Sequence, residues 1–115
     1  MSAAFARRGC VYWVQLADEP HDKRRPAVVV SDDVRNEYAN DCMVIPVSTR
    51  VTLAPTHVVL APGEGGLPAR SVAKCEQLTT LAKYRVVGPA LGAPLPELQM
   101  RKLVQGVLRA FGQPA

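Results

Sequence analysis

Proline and glycine punctuation sets the scale of what this chain can fold into. Ten prolines and eight glycines are spread over 115 residues. Gly9, Pro20, Pro26, Pro46, Pro55, the run Pro62-Gly63-Glu64-Gly65-Gly66 and Gly88-Pro89 divide all but the last stretch into short pieces. Neither residue suits a helix interior: proline lacks the N–H and clashes with the preceding turn, and glycine gives up the most backbone freedom. Short pieces bounded in this way and rich in Val, Ile, Tyr and Thr read as strands.

Strands are expected at Cys10 to Leu16, Arg25 to Ser31, Cys42 to Ser48, Thr56 to Leu60, Ser71 to Lys74, Leu78 to Leu81 and Arg85 to Gly88. The uninterrupted Val28-Val29-Val30 run implies burial on both sides of its strand or at a dimer face. Pro26 belongs at the first position of that strand, and Pro46 marks an edge or a bulge. Ala17 to Arg24 is charged and broken by Pro20, so it reads as an exposed, mobile loop. Asp32 to Tyr38 has an Asp to cap one or two helical turns. The period changes in Pro94 to Phe111, where Leu95, Leu98, Leu103, Val107 and Phe111 recur mostly at intervals of three or four, with Gly112 and Pro114 as the stop. Many short strands followed by one helix predict a mainly β domain, a small curled antiparallel barrel or partly open sheet covered by a C-terminal helix.

The length fits a single domain over residues 1–115. A net charge of +4 tilts the partners mildly towards anionic surfaces. Cys10, Cys42 and Cys75 lie within apolar runs and read as buried structural thiols, with no spacing that suggests zinc. The longest apolar runs fall far short of the roughly 20 residues that span a bilayer. The start, Met1 to Arg8, places its charges after the apolar residues, the wrong order for a signal peptide, so the expected location is cytoplasmic, away from membranes.

Phosphate-loop, His-Glu-x-x-His and Gly-x-Ser-x-Gly motifs are all missing from the sequence. What remains is a set of cations and hydroxyls at strand ends: Arg25, Ser48, Thr49, Arg50, His57 and Lys74, then Gln77, Thr79, Thr80 and Lys83. Gathered on one face of a small barrel, such groups suit a phosphodiester, because guanidinium pairs with phosphate oxygens bidentately. Asp32-Asp33 lacks the further spaced ligands of a magnesium site, so no metal or other cofactor is expected.

Three blocks carry a resemblance: Arg8-Gly9-Cys10-Val11-Tyr12-Trp13-Val14, Arg24-Arg25-Pro26-Ala27-Val28-Val29-Val30-Ser31, and Val44-Ile45-Pro46-Val47-Ser48-Thr49. With Pro55-Thr56-His57-Val58, Gly66-Leu67, Ser71-Val72 and Glu76-Gln77-Leu78-Thr79-Thr80-Leu81, they resemble the MazF/PemK/Kid toxins over roughly residues 7–112. The resemblance implies an SH3-like β-barrel of the CcdB/PemK kind with a C-terminal helix. It also implies a metal-independent endoribonuclease that cuts single-stranded RNA at short sequences, acts as a homodimer, is inhibited by a cognate MazE-like antitoxin, and meets operator DNA only through the antitoxin complex. By the same resemblance Arg25 and Ser48 fall on the catalytic positions, with Thr49 as a neighbour able to share the role, and Gln77 and Thr80 on an RNA-facing block. Arg50, His57 and Lys83 are further RNA-binding candidates, and His21 or His57 is an acid-base candidate on pKa grounds.

Cys10 stands where the family is commonly acidic, the third strand ends in serine rather than threonine, and Thr79 stands where some members carry arginine. Two other readings compete. One is a CcdB-like protein that binds DNA gyrase without cutting RNA, and the other is a decayed toxin that only binds its antitoxin.

Overall fold

The computed structural model describes residues 5–20 and 22–114. Its elements run β1 (Val11–Val14), β2 (Arg25–Val29), α1 (Asp33–Tyr38), β3 (Asp41–Ser48), β4 (His57–Leu60), β5 (Ser71–Lys74), β6 (Thr79–Ala82), β7 (Val86–Val87) and α2 (Glu97–Ala110). The strands pair antiparallel in the order β4-β5-β3-β2-β1-β7, and β6 joins β3. The expected mainly β architecture with a C-terminal helix is what the chain adopts.

β3 is the hub. One edge pairs with β2 through Val44, Ile45 and Pro46. The other edge pairs first with β6, through Asp41 to Val44, and then with β5, through Val47 and Ser48. Pro46 therefore sits in a central strand and not at the edge or bulge its sequence context suggested. The placement costs no ladder bond. The Met43 carbonyl accepts from Val30 N–H at 2.9 Å, so strand alternation turns the Pro46 nitrogen to the opposite edge, in the gap where β6 ends and β5 begins. Pro26 is the second residue of β2, not the first, and pairing with β3 begins one residue later, at Ala27.

The sheet buries both faces. Val11, Val28, Ile45 and Val47 pack with Leu60, Leu67, Leu95, Met100 and Leu103 on the side covered by α2. Tyr12, Val14, Ala27, Val29, Cys42 and Val44 pack with Leu81 of β6 on the other. The valine run is thus buried within the chain on both sides, which is why it lacks the polar alternation of a half-exposed strand.

The α2 face departs from the expected stripe. Met100, Leu103 and Gly106 are buried, whereas Leu98 and Phe111 are 63% and 70% exposed. Leu95 is buried but precedes the helix. Counting leucines and phenylalanine missed Gly106, whose lack of a side chain lets α2 approach the turn at Cys75; a Cβ there would lie 2.6 Å from Cys75 Sγ. Gly112, at φ +82°, ends the helix, its N–H donating to Arg109 O at 2.9 Å.

All three cysteines are free and buried, and burial pushes the Cys75 thiol up to about 11. Asp32 caps α1 by accepting from Val34 N–H at 3.0 Å. Asn36, fully buried, donates to Ser31 O at 2.9 Å and Ala6 O at 3.2 Å, and Ser31 Oγ accepts from Met43 N–H at 2.9 Å. These bonds pin the short helix to β3 and to the segment before β1.

Candidate active site

The two leading site residues stand just beyond the ladder between β2 and β3. Ala27 pairs with Pro46, Val28 with Ile45 and Val29 with Val44. That ladder stops at Ala27 and Pro46, two residues short of Arg25 and Ser48, and these two residues line the same two clefts. Each is anchored on its far side, Arg25 across from Val14 and Ser48 across from Val72. By strand alternation Arg25 falls on the face of Ala27 and Val29, and Ser48 on that of Pro46 and Val44, the side away from α2.

Three clefts lie around this pair. One of ≈ 210 Å³ is lined by Leu16, Asp18, Glu19, Arg25, Pro46, Val47, Ser48, Lys74 and Gln77. A second, of ≈ 260 Å³, is lined by Trp13, Arg24, Arg25, Pro26, Val47, Ser48, Thr49, Leu67, Pro68, Ser71 and Leu91. Arg25, Val47 and Ser48 belong to both, so the two clefts meet at the pair. A third, of ≈ 370 Å³, shares Leu16, Asp18, Pro46 and Gln77 with the first and adds Ala17, Thr79, Thr80 and Leu81. The result is a track of polar and apolar pockets past one arginine and one serine, with Trp13, 43% exposed, at one end.

Arg25 is already engaged. Its Nε donates to Glu19 Oε1 at 2.7 Å and Oε2 at 2.9 Å. That hydrogen bond raises the guanidinium further above its ordinary value and holds the Glu19 carboxyl below the usual carboxylate range. Lys23 Nζ stands 3.8 Å from the same carboxylate. Ser48 Oγ accepts from the backbone N–H of Arg50 at 3.1 Å, which fixes the turn leaving β3. With two carboxylates, Asp18 and Glu19, facing two cations, Arg25 and Lys74, the first cleft combines groups that charge-stabilise with groups that accept protons.

The structure gathers some of the expected residues and separates others. Arg25, Ser48, Thr49, Gln77 and Thr80 line this track. Arg50 contributes its backbone, and its side chain is exposed. His57 lines none of the three clefts: its Nε2 lies 3.1 Å from Glu76 Oε2 and its Nδ1 2.9 Å from Thr52 O, a clip between β4 and the turn before β6. Lys83 lines a separate cavity of ≈ 400 Å³ with Phe5, Arg7 and Tyr12, and its Nζ donates to Glu37 O at 3.4 Å. His21 lies outside the described residues. Glu19 was missed because its loop reads as solvent-exposed; the available signal was an acidic residue six positions before Arg25, with Pro20 turning the chain between them. Among the described residues no group of three or more His, Cys, Asp and Glu is placed to hold a metal ion, and no helix is long and apolar enough to cross a membrane.

The same fold recurs in solved endoribonuclease structures. An endoribonuclease from a mycobacterial species superposes with a TM-score of 0.78 at 26% identity, covering 100% of this chain and 97% of its own. A mycobacterial endoribonuclease solved in complex with its cognate antitoxin gives 0.78 at 25% identity, covering 96% and 98%. In sequence, the protein named "Probable endoribonuclease MazF5" from Mycobacterium tuberculosis is 30% identical over 100 residues, 87% of each chain. Residues 7–111 match the family of PemK-like, MazF-like toxins of type II toxin-antitoxin systems. The chain belongs to that family, and its class is that of the toxin endoribonucleases.

Proposed function

We propose that this chain cuts single-stranded RNA without a metal ion, through attack of a ribose 2′-hydroxyl on its own 3′-phosphate. The observation that carries the reading is that Arg25 and Ser48 both line the two clefts that meet there. A scissile phosphate seated there has a guanidinium to offset the charge that develops on its oxygens and a hydroxyl to orient it. The nucleotides on either side then enter the two clefts. Trp13 and Leu67 favour a base in one, and Gln77 and Lys74 favour polar contacts in the other. Thr49 and Thr80 extend the contacts outward in both directions.

The reading is tested with purified protein and a long RNA in excess EDTA. Cutting should persist and should leave a 2′,3′-cyclic phosphate and a 5′-hydroxyl. Abolition of cutting, with recovery on adding Mg²⁺, would defeat the metal-independent mechanism.

The working unit we propose is a cytoplasmic homodimer inhibited by a separately encoded MazE-like antitoxin that occupies the RNA track. One of the similar structures was solved in complex with its cognate antitoxin. Operator DNA is met only through that complex. Exposed Val104 and Leu108 on α2 and Phe111 at its C-cap leave apolar surface uncovered, and closed C2 dimers are the commonest way such surface is buried. Sedimentation at micromolar concentration should give about twice the 12.4 kDa chain mass; an active monomer would refute the dimer.

A further inference from the structure

The cavity of ≈ 400 Å³ beside Lys83 shares no residue with the three clefts of the track. Among the described residues its charged lining is Arg7 and Lys83, with no carboxylate. Buried Tyr12 and half-buried Phe5 line it as well. The Tyr12 hydroxyl accepts from Arg7 N–H at 3.0 Å, and the Arg7 guanidinium stands 5.0 Å from the centre of the Phe5 ring.

Outside the cavity the same pairing of rings and cations continues in the open. Lys83 is followed by Tyr84, 79% exposed, and by Arg85, whose guanidinium stands 5.3 Å from the centre of the Tyr84 ring. Lys83 also reaches the end of α1. Its N–H donates to Asn40 O at 3.0 Å and its Nζ to Glu37 O at 3.4 Å, which brings in Tyr38, 82% exposed. The chain has three Tyr, two Phe and one Trp, so Phe5, Tyr12, Tyr38 and Tyr84 gather most of its rings at one corner. Of the acids on α1 and at the start of β3, Asp33 accepts from Arg8 N–H at 2.7 Å and Asp41 is paired with Arg35. Glu37 is left to face Arg7, Lys83 and Arg85, and the balance at the corner is positive.

Exposed rings set beside cations are what a single-stranded nucleic acid binds, since each base offers a face to stack and each nucleotide a phosphate to neutralise. An acidic peptide would use the cations and leave the two exposed tyrosines without a partner. We propose that this corner is an accessory site for single-stranded RNA, which holds a stretch of the transcript outside the cleavage track. The assignment rests on the reading that the chain binds and cuts RNA. Bases stack on Tyr38 and Tyr84, and the cavity, within the size range of small-ligand pockets, takes one nucleotide with its phosphate against Arg7 and Lys83. No bond is made or broken there: the site adds affinity for long RNA and leaves the chemistry at Arg25 and Ser48 unchanged.

The double variant Tyr38→Ala, Tyr84→Ala tests the site, because both side chains are exposed and neither lines the track. Two RNAs sharing one cut are compared, one of about 6 nucleotides and one of about 20, each made also in an uncleavable form with 2′-deoxyribose at the cut. The double variant should cut the short RNA at the wild-type rate and bind the long uncleavable RNA about 5- to 100-fold more weakly, the range for losing a stacked base. Tyr84→Trp should keep the long-RNA affinity. Arg7→Ala should lower the slope of log affinity against log salt by about 0.7 on the long RNA, the share of one phosphate contact to a single strand. Wild-type protein that binds both RNAs equally tightly would overturn the proposal, as would an unchanged salt slope. So would equal losses on the two RNAs, which would give the tyrosines a structural role. A double variant that keeps the long RNA but loses polyglutamate would make the corner a docking surface for an acidic peptide, and would overturn it too. Wild-type protein that binds neither RNA would instead remove the RNA reading on which the site stands.

Discussion

A single 2′-deoxyribose on the 5′ side of the cut is expected to stop cleavage altogether while leaving RNA bound. On the proposed reading the track past Arg25 and Ser48 engages an RNA through phosphates and bases, none of which changes when one hydroxyl is removed. In the proposed mechanism the bond-forming nucleophile is that hydroxyl, so its loss removes the reaction path and not merely part of its stabilisation. Binding should respond to salt instead, weakening as ionic strength rises, since each phosphate contact releases counterions. The measurement pairs a cleavage assay with a binding titration on matched oligonucleotides. Efficient cutting of the deoxy substrate would mean that water or another group attacks phosphorus, and the roles given to Arg25 and Ser48 would have to be reassigned.

Arg25→Ala is the second large effect. Arg25 is the first residue of β2, its side chain is 36% exposed, and it lies outside the Val28 and Val29 core. Its removal should therefore leave the thermal midpoint close to that of the parent. The reaction loses a fixed cation aimed at the phosphoryl group, a kind of deletion that costs roughly 2 to 4 kcal/mol, or about 30- to 1,000-fold in rate. Arg25→Lys should recover only part of this, because an ammonium cannot hold Glu19 and a phosphoryl oxygen along one planar fork. A folded Arg25→Ala protein that cuts at the parental rate would remove the arginine from the mechanism.

The sequence was most legible where one residue type carries one physical meaning. Ser71 to Lys74 is a strand at the expected bounds, Asp32 caps α1 as its side chain predicts, and Gly112 ends α2. Arg25 and Ser48 were nameable because each stands at a strand terminus beside a loop, and the strands that carry them pair antiparallel. Pro46 was misjudged because edge position was inferred from a missing N–H, and local sequence does not encode that β3 exchanges one partner for another at that residue. The α2 stripe was misjudged for a related reason. Gly106 contributes to packing by having no side chain, which a count of apolar residues does not register, while Leu98 and Phe111 counted fully and lie exposed. Glu19 was invisible because charge and proline describe the loop's composition but not the bond its carboxylate makes. The separation of Lys83 and His57 from the track is likewise a matter of three-dimensional path.

The placing of Arg25 and Ser48 around shared clefts also bears on how the chain folds. The strands that carry them pair through Ala27 to Val29 and Val44 to Pro46, and the stretch between those strands contains α1 with its buried Asn36 clamp. A slip of one residue in that ladder would turn every side chain of one strand to the opposite face, leaving arginine and serine on different sides of the sheet. On the proposed mechanism a nascent or misregistered polypeptide would be harmless to RNA, and folding itself would be the arming step.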